Sequence, residues 1–215
     1  MPQKTFLIVF YGYPGSGRTY FARQFADEYV VAHLQSDRIR AELFEKPRYD
    51  KQENAITSQL MTYMTEEFLS AGLSVIYDTD IATNKSRAAL KNLANKNGAE
   101  FITIWLQVDA ETSFARNVRR DGRKIDDKYA PRWDRTTFDK ITSQMQNPSP
   151  SKDLIVISEK HSYITQRNAV VAALQNRAII SPIDRVKNIA KPGLVNLVPK
   201  SNGRVDLSRR NIFIR

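Results

Sequence analysis

Phe6-Leu7-Ile8-Val9-Phe10-Tyr11 runs directly into Gly12-Tyr13-Pro14-Gly15-Ser16-Gly17-Arg18-Thr19, and the reading of this junction decides the rest of the chain. Six apolar and aromatic residues in a row, bounded by glycine, match a strand buried on both faces. The glycine-rich turn behind it leads into a segment, Tyr20 to Tyr29, with Phe21, Ala22, Phe25, Ala26 and Tyr29 spaced along one helical face. Strand, glycine turn and helix in that order form a cradle for phosphate: main-chain N–H groups converge on the anion, and the helix adds the positive end of its dipole. Gly12 and Gly17 occupy the two glycine positions of the phosphate-binding loop pattern, and Thr19 occupies the hydroxyl position that takes Mg²⁺. Arg18 stands where that pattern has lysine. It keeps the positive charge, but as a planar fork rather than a compact ammonium.

Outward from this junction, strands and helices alternate. Val30 to Gln35 is a second short strand that delivers Ser36 and Asp37 at its carboxyl end. Ile39 to Phe44 continues as a short helix. Ile56, Leu60, Met64 and Phe68 recur every fourth residue and predict the core face of a longer one. Leu73 to Tyr77 is a third strand, ending in Asp78-Thr79-Asp80, and Phe101 to Val108 is a fourth. Helices are expected at Ala88 to Ala94, Ala110 to Arg120, around Phe138 to Met145, and from Tyr163 to Arg177, with Leu154 to Ile157 as an edge strand. This alternation predicts an α/β fold with a parallel sheet, whose ligands sit at the carboxyl edge of the strands.

The chain has 215 residues, enough for one domain with a real core. It contains no cysteine and two histidines, which excludes disulfides, zinc–thiolate sites and a thiol nucleophile. Its apolar runs are too short for a membrane helix or a secretory leader, so a cytoplasmic protein is expected. The net charge of +10 is concentrated in two places: residues 185 to 215 carry +7 and residues 116 to 135 carry +4. Both stretches are candidates for contact with phosphate. We divide the chain into a domain over 1–180, with a lid near 119–135, and a basic C-terminal extension over 181–215. In that extension Asn202-Gly203 between two apolar runs predicts a hairpin. The extension has three readings: packing on the body, reaching a partner subunit, or lying on nucleic acid.

Phosphoryl transfer asks for Mg²⁺, cations on the phosphate oxygens and a group orienting the acceptor hydroxyl. Thr19 can supply the first. Arg18, Arg116, Arg119, Arg120 and Arg123 can supply the second, or form a solvated helix face. Asp37 is a candidate general base, or an N-cap of the helix that follows. Arg40 is a candidate acceptor-phosphate contact, and Asp78 has an active-site reading beside a turn reading.

These residues together resemble the P-loop kinases grouped around polynucleotide 5′-kinase and the zeta-toxin-like kinases, over about Thr5 to Ser158. Gly12 to Thr19 is similar to that group's Gly-x-Pro-Gly-Ser-Gly-Lys-Ser/Thr. Asp37 to Arg40 matches its Asp-x-x-Arg, Asp78-Thr79-Asp80 resembles its Asp-Thr-Asn, and Arg116 to Arg120 matches its Arg-Asn-x-x-Arg. The resemblance implies a three-layer P-loop NTPase fold with five parallel strands in the order 2-3-1-4-5. It implies that Gly12, Tyr13, Pro14, Gly15, Ser16, Gly17, Arg18, Thr19, Arg116 and Arg120 bind nucleotide. It also implies that Asp37, Arg18 and Arg120 serve catalysis, that Arg40 and Asp78 meet the acceptor, and that Thr19 holds Mg²⁺. The expected activity is transfer of the γ-phosphoryl group of ATP or GTP to a hydroxyl, on a nucleic-acid 5′ end or a nucleotide-like or sugar metabolite. The alternatives are a nucleotide-binding protein without catalysis, and a nucleic-acid-binding protein working through its basic arm. Arg18 and Asp80 are the two departures from the group's pattern.

Overall fold

The computed structural model describes residues 4–80 and 82–181. In chain order the elements are β1 (Phe6–Tyr11), α1 (Arg18–Glu28), β2 (Val31–Gln35), α2 (Ser36–Leu43), α3 (Lys51–Ser70), β3 (Ser74–Asp78), α4 (Asn84–Lys96), β4 (Glu100–Gln107), α5 (Ala110–Val118), α6 (Arg135–Ser143), β5 (Leu154–Ser158) and α7 (Tyr163–Asn176). The strands form one sheet in the order β2-β3-β1-β4-β5, and every pairing is parallel. The predicted fold class and strand order are therefore present, with β1 in the middle and β5 at an edge. The basic extension and its Asn202-Gly203 hairpin lie outside the described residues.

β1 shows why the sequence folds this way. All six of its residues are buried. Alternate side chains enter opposite layers, as a strand covered on both faces requires. Phe6, Ile8 and Phe10 join Phe21 and Phe25 of α1 and Val170 and Leu174 of α7. Leu7 and Val9 join Met61 and Leu69 of α3 and Leu90 and Ala94 of α4. These two apolar layers clamp the central strand, so the loop that follows Tyr11 springs from a fully buried element.

Two expectations are corrected by the packing. In α3 the fully covered residues are Glu53, Thr57, Met61, Thr65 and Leu69, one step round the helix from the predicted stripe. Met64 and Phe68 are half-buried and pack against the core as expected, while with Leu60 they also line a groove beside α2 and β2; Ile56 is exposed. The reason is position: α3 lies near the edge strand β2, so part of its apolar face overhangs the sheet. In α7, Val170 and Leu174 point inward as expected, but Ile164 is exposed.

Candidate active site

The predicted start of the first helix was Tyr20, but α1 begins at Arg18, so Arg18 and Thr19 form its first turn. The loop before it is held by short main-chain and side-chain links. Ser16 N–H donates to Tyr13 O at 3.0 Å, and Ser113 Oγ of α5 donates to Pro14 O at 3.0 Å. Gly15 and Gly17 both have φ of +95°, in the region that disfavours a side chain. A Cβ on Gly15 would lie 2.3 Å from Ser113 O, so here glycine is needed for close approach as well as for backbone freedom.

Several features of this loop fit a bound polyphosphate. Helices α3, α4, α5, α6 and α7 each have a side-chain N-cap, from Asp50, Thr83, Asp109, Asp134 and Ser162. In contrast, α1 and α2 take no side-chain cap, and at α1, behind the glycine loop, this leaves the first N–H groups available to an anion. Ser16 Oγ is buried without a hydrogen-bond partner among the described residues. Such a group is costly unless a ligand or water satisfies it.

The loop opens into a cleft of about 310 Å³ at the carboxyl ends of β1, β2 and β3. Gly15, Gly17, Arg18, Thr19, Asp37, Asp78, Arg116 and Arg120, all predicted site residues, line it. Gly12, Tyr13, Pro14 and Ser16 belong to the loop but not to the cleft wall. Tyr13 lies against Phe138, 6.4 Å between ring centroids, on the side away from the cleft. Asp37 is not an N-cap: α2 is preceded by Gln35, and Asp37 sits in its first turn.

Arg18 donates from Nη1 to Gly12 O at 2.7 Å and pairs through Nη2 with Asp80. Asp37 stands between two acidic neighbours, Asp80 and Asp78, and two basic ones, Arg120 and Arg18. Burial, followed by the charges of Asp80 and Asp78, pushes its carboxyl up to about 7, while Arg120 and Arg18 oppose that shift. A carboxyl poised there can exchange a proton at neutral pH. Asp78 is 4% exposed, with Oδ2 lying 3.1 Å from Nε2 of His33 on the neighbouring strand. Arg120, just past the end of α5, donates to Pro131 O, and its burial lowers its pKa.

Arg40 is placed away from the other predicted site residues. Its side chain is buried, it pairs with Glu53 at 3.4 Å and donates to Asn54 Oδ1 at 2.7 Å, and it takes no part in the cleft wall. The helix brings Arg40 one turn on from Asp37, but α3 captures it. Arg116 and Arg120, read as one helical face, are separated in environment: α5 ends at Val118, and Arg116 pairs with Glu159 beyond β5. The connection from 119 to 134 has no helix or strand and is tied to α1 by Arg23, whose Nε and Nη2 meet Asp126 at 2.6 and 3.1 Å.

Sequence reasoning missed His33, Tyr49, Glu53 and the Arg23–Asp126 pair. Only Glu53 had a local signal, since Asp50-x-x-Glu53 is the spacing of a helix start, and Asp50 Oδ1 does accept from Glu53 N–H at 2.9 Å. The others are joined to the site by pairing between distant segments. No group of three or more acidic or histidine side chains suited to a metal occurs among the described residues. Thr19 alone suits a metal that arrives with phosphate oxygens as its other ligands. No helix among the described residues is long and apolar enough to cross a membrane.

Comparison with known proteins agrees with this architecture. L-seryl-tRNA(Sec) kinase of Methanococcus maripaludis is 25% identical over 121 residues, covering 55% of this chain and 47% of that protein. The chain thus spans about half the length of the curated relative it matches. Kti12 of Chaetomium thermophilum, solved with ADP-AlF3, superposes with a TM-score of 0.62 at 18% identity, covering 81% of this chain and 100% of that one. The APS kinase CysC of Mycobacterium tuberculosis, solved with AMPPNP and APS, gives 0.58 at 17% identity over 81% and 99%. These structural likenesses establish the fold. The model of the family described as AAA domain, AAA_33, matches residues 7–148, from the first strand to beyond the last helix that borders the cleft, and the chain belongs to that family.

Proposed function

We propose that this protein is an ATP-dependent kinase that transfers the γ-phosphoryl group to a hydroxyl acceptor. The observation that carries the reading is the pairing of two features across one cleft: an uncapped helix N-terminus behind a glycine loop, and Asp37 poised near neutrality. The loop and α1 bind the polyphosphate, and Arg18, Arg116 and Arg120 neutralise its oxygens. Thr19 would hold Mg²⁺, which draws charge from the phosphate oxygens. The acceptor oxygen forms a bond to the γ-phosphorus and gives its proton to the Asp37 carboxylate. The bond from γ-phosphorus to the bridging oxygen breaks, and the nucleoside diphosphate leaves with that electron pair. The 119–134 connection acts as the lid.

The finer assignment, to the polynucleotide 5′-kinase and zeta-toxin-like group, rests on the four motifs and their order along the chain. Exposed Arg123, Lys124, Lys128 and Arg132 on the connection favour a phosphate-bearing acceptor, such as a nucleic-acid 5′ end or a nucleotide. Nucleic-acid contact through residues 185–215 belongs to the same reading and rests on their charge alone.

The test is γ-labelled ATP with Mg²⁺ offered to 5′-hydroxyl oligonucleotides, nucleosides and sugars. Label should pass to at least one class, and Asp37→Asn should abolish transfer while ATP affinity stays within a few-fold. Nucleotide binding without transfer to any class would leave a nucleotide-binding protein in place of the kinase. Absence of binding at millimolar ATP or GTP would end both readings.

A further inference from the structure

Tyr49 is a bulky residue in a backbone conformation that side chains rarely adopt, with φ of +59°. An aromatic residue in this left-handed conformation is strained and persists only where its surroundings over-determine it. Those surroundings are explicit. Glu53, 2% exposed, accepts from the main-chain N–H of both Arg48 and Tyr49 at 2.8 Å. Asn54 Nδ2 donates to Tyr49 O at 3.1 Å. The buried guanidinium of Arg40 lies 4.4 Å from the centroid of the Tyr49 ring, within cation–π range. From the other side Trp133 meets that ring edge-on, 5.0 Å between centroids. Trp133 is itself clamped, since Asn117 of α5 donates to its carbonyl at 2.8 Å and accepts from its N–H at 3.4 Å. The outcome of all this constraint is the direction of one phenol, whose hydroxyl donates to Asp37 Oδ1 at 3.4 Å.

We propose that Tyr49 is a positioning residue for Asp37, its hydroxyl holding Oδ1 so that the other carboxylate oxygen faces the acceptor. The proposal rests on the reading of Asp37 as the base. It also gives Arg40 a role, as the platform beneath the ring. The contact is long, as catalytic hydrogen bonds often are before substrate closes the site. Five groups face Asp37: Asp78 and Asp80 at the end of β3, Arg18 of α1, Arg120 beyond α5, and Tyr49. Burial and the Asp37 charge hold the phenol protonated, so it stays a donor at neutral pH. A donor to a carboxylate favours the ionised form, and removing it moves the carboxyl upward.

Tyr49→Phe keeps the ring and loses only the hydroxyl. The substrate-free protein, labelled with ¹³C at the aspartate carboxyls, is titrated by NMR, with the Asp37 signal identified by its loss in Asp37→Asn. In Tyr49→Phe the Asp37 midpoint should rise by about half a pH unit or more, roughly three-fold in acid constant. The acidic limb of kcat/KM should move by the same amount, with activity recovered at higher pH. Tyr49→Asn, which tolerates the same backbone conformation, repeats the comparison should the phenylalanine variant fold poorly. An unmoved midpoint in a folded variant, alongside an inactive Asp37→Asn, overturns the role of Tyr49 alone. Full turnover in Asp37→Asn overturns the reading of Asp37 as base, and the role of Tyr49 with it.

Discussion

Arg18 and Asp80 form an ion pair at the head of α1, so the two departures from the kinase motif pattern are one feature. Arginine replaces lysine in the loop, and an aspartate stands where asparagine is usual at the end of the third strand. Arginine for lysine leaves the charge unchanged, whereas aspartate for asparagine adds a negative charge beside the polyphosphate site. One fork nitrogen of Arg18 neutralises that aspartate, and the other reaches Gly12 O. A lysine has a single nitrogen and cannot span both partners in this fixed geometry.

The pair predicts coupling. Asp80→Asn should release Arg18 and tighten ATP binding without Mg²⁺ by about five-fold, the scale of a partly exposed charge contact of roughly 1 kcal/mol. Arg18→Lys should lose more turnover with Asp80 present than with Asn in its place. Calorimetry on the two single variants and the double variant measures this. Additive effects would show that the pair is incidental.

Asp37 predicts a loss of stability as pH rises. Its folded pKa of about 7 lies above the ordinary carboxylate value of 3.8. Ionising it in the folded state is therefore unfavourable, and the protein loses this part of its stability as pH rises from about 4 through 7. Asp37→Asn should match the parent near pH 4 and melt about 3 °C higher above pH 7, allowing for the partial access of solvent to the cleft. A melting difference that shrinks as pH rises would contradict the assigned shift.

The glycines of the loop should separate in cost. Gly15→Ala places a Cβ 2.3 Å from Ser113 O, against main chain of α5 that cannot swing aside. Gly17 shares the same φ but meets nothing within 4 Å. Gly15→Ala should therefore destabilise by about 2 kcal/mol more than Gly17→Ala, a difference readable by urea denaturation. Equal effects would mean that backbone conformation alone sets the cost.

Arg40 separates a structural role from an acceptor contact. Removing one partner from a buried ion pair typically costs about 3–5 kcal/mol. Arg40→Met should lower stability by less than that, about 1–2 kcal/mol by denaturant unfolding, because Glu53 keeps its ion pair with Arg48 and the N–H groups of Arg48 and Tyr49. A variant of undiminished stability with only a raised KM for acceptor would return Arg40 to the substrate.

Most of the fold was legible because its signals are local. A run as short, as rich in β-branched and aromatic residues and as closely bounded by glycine as Phe6 to Tyr11 reads as a doubly covered strand, and the glycine turn behind it marks the helix start and the phosphate loop. Asp37 and Asp78 were legible because carboxylates at the ends of parallel strands point to the ligand edge. The placement of Arg40 was not legible, because helical spacing gives the face of a residue but not its neighbour, and Glu53 of α3 pairs with it. The α3 stripe is only partly covered for a related reason: periodicity identifies an apolar face, while the sheet edge decides how much of it is covered, so Met64 and Phe68 pack on the core and Ile56 does not.

Chain pattern alone was enough to specify the order of strands and helices, the phosphate loop and the charges gathered near it, because each depends on residues close in sequence. Folding in three dimensions was needed to pair Arg18 with Asp80, to turn Arg40 inward and to aim Tyr49 at Asp37. Those contacts join side chains from separate segments, and their strength comes from burial and geometry that no single segment possesses.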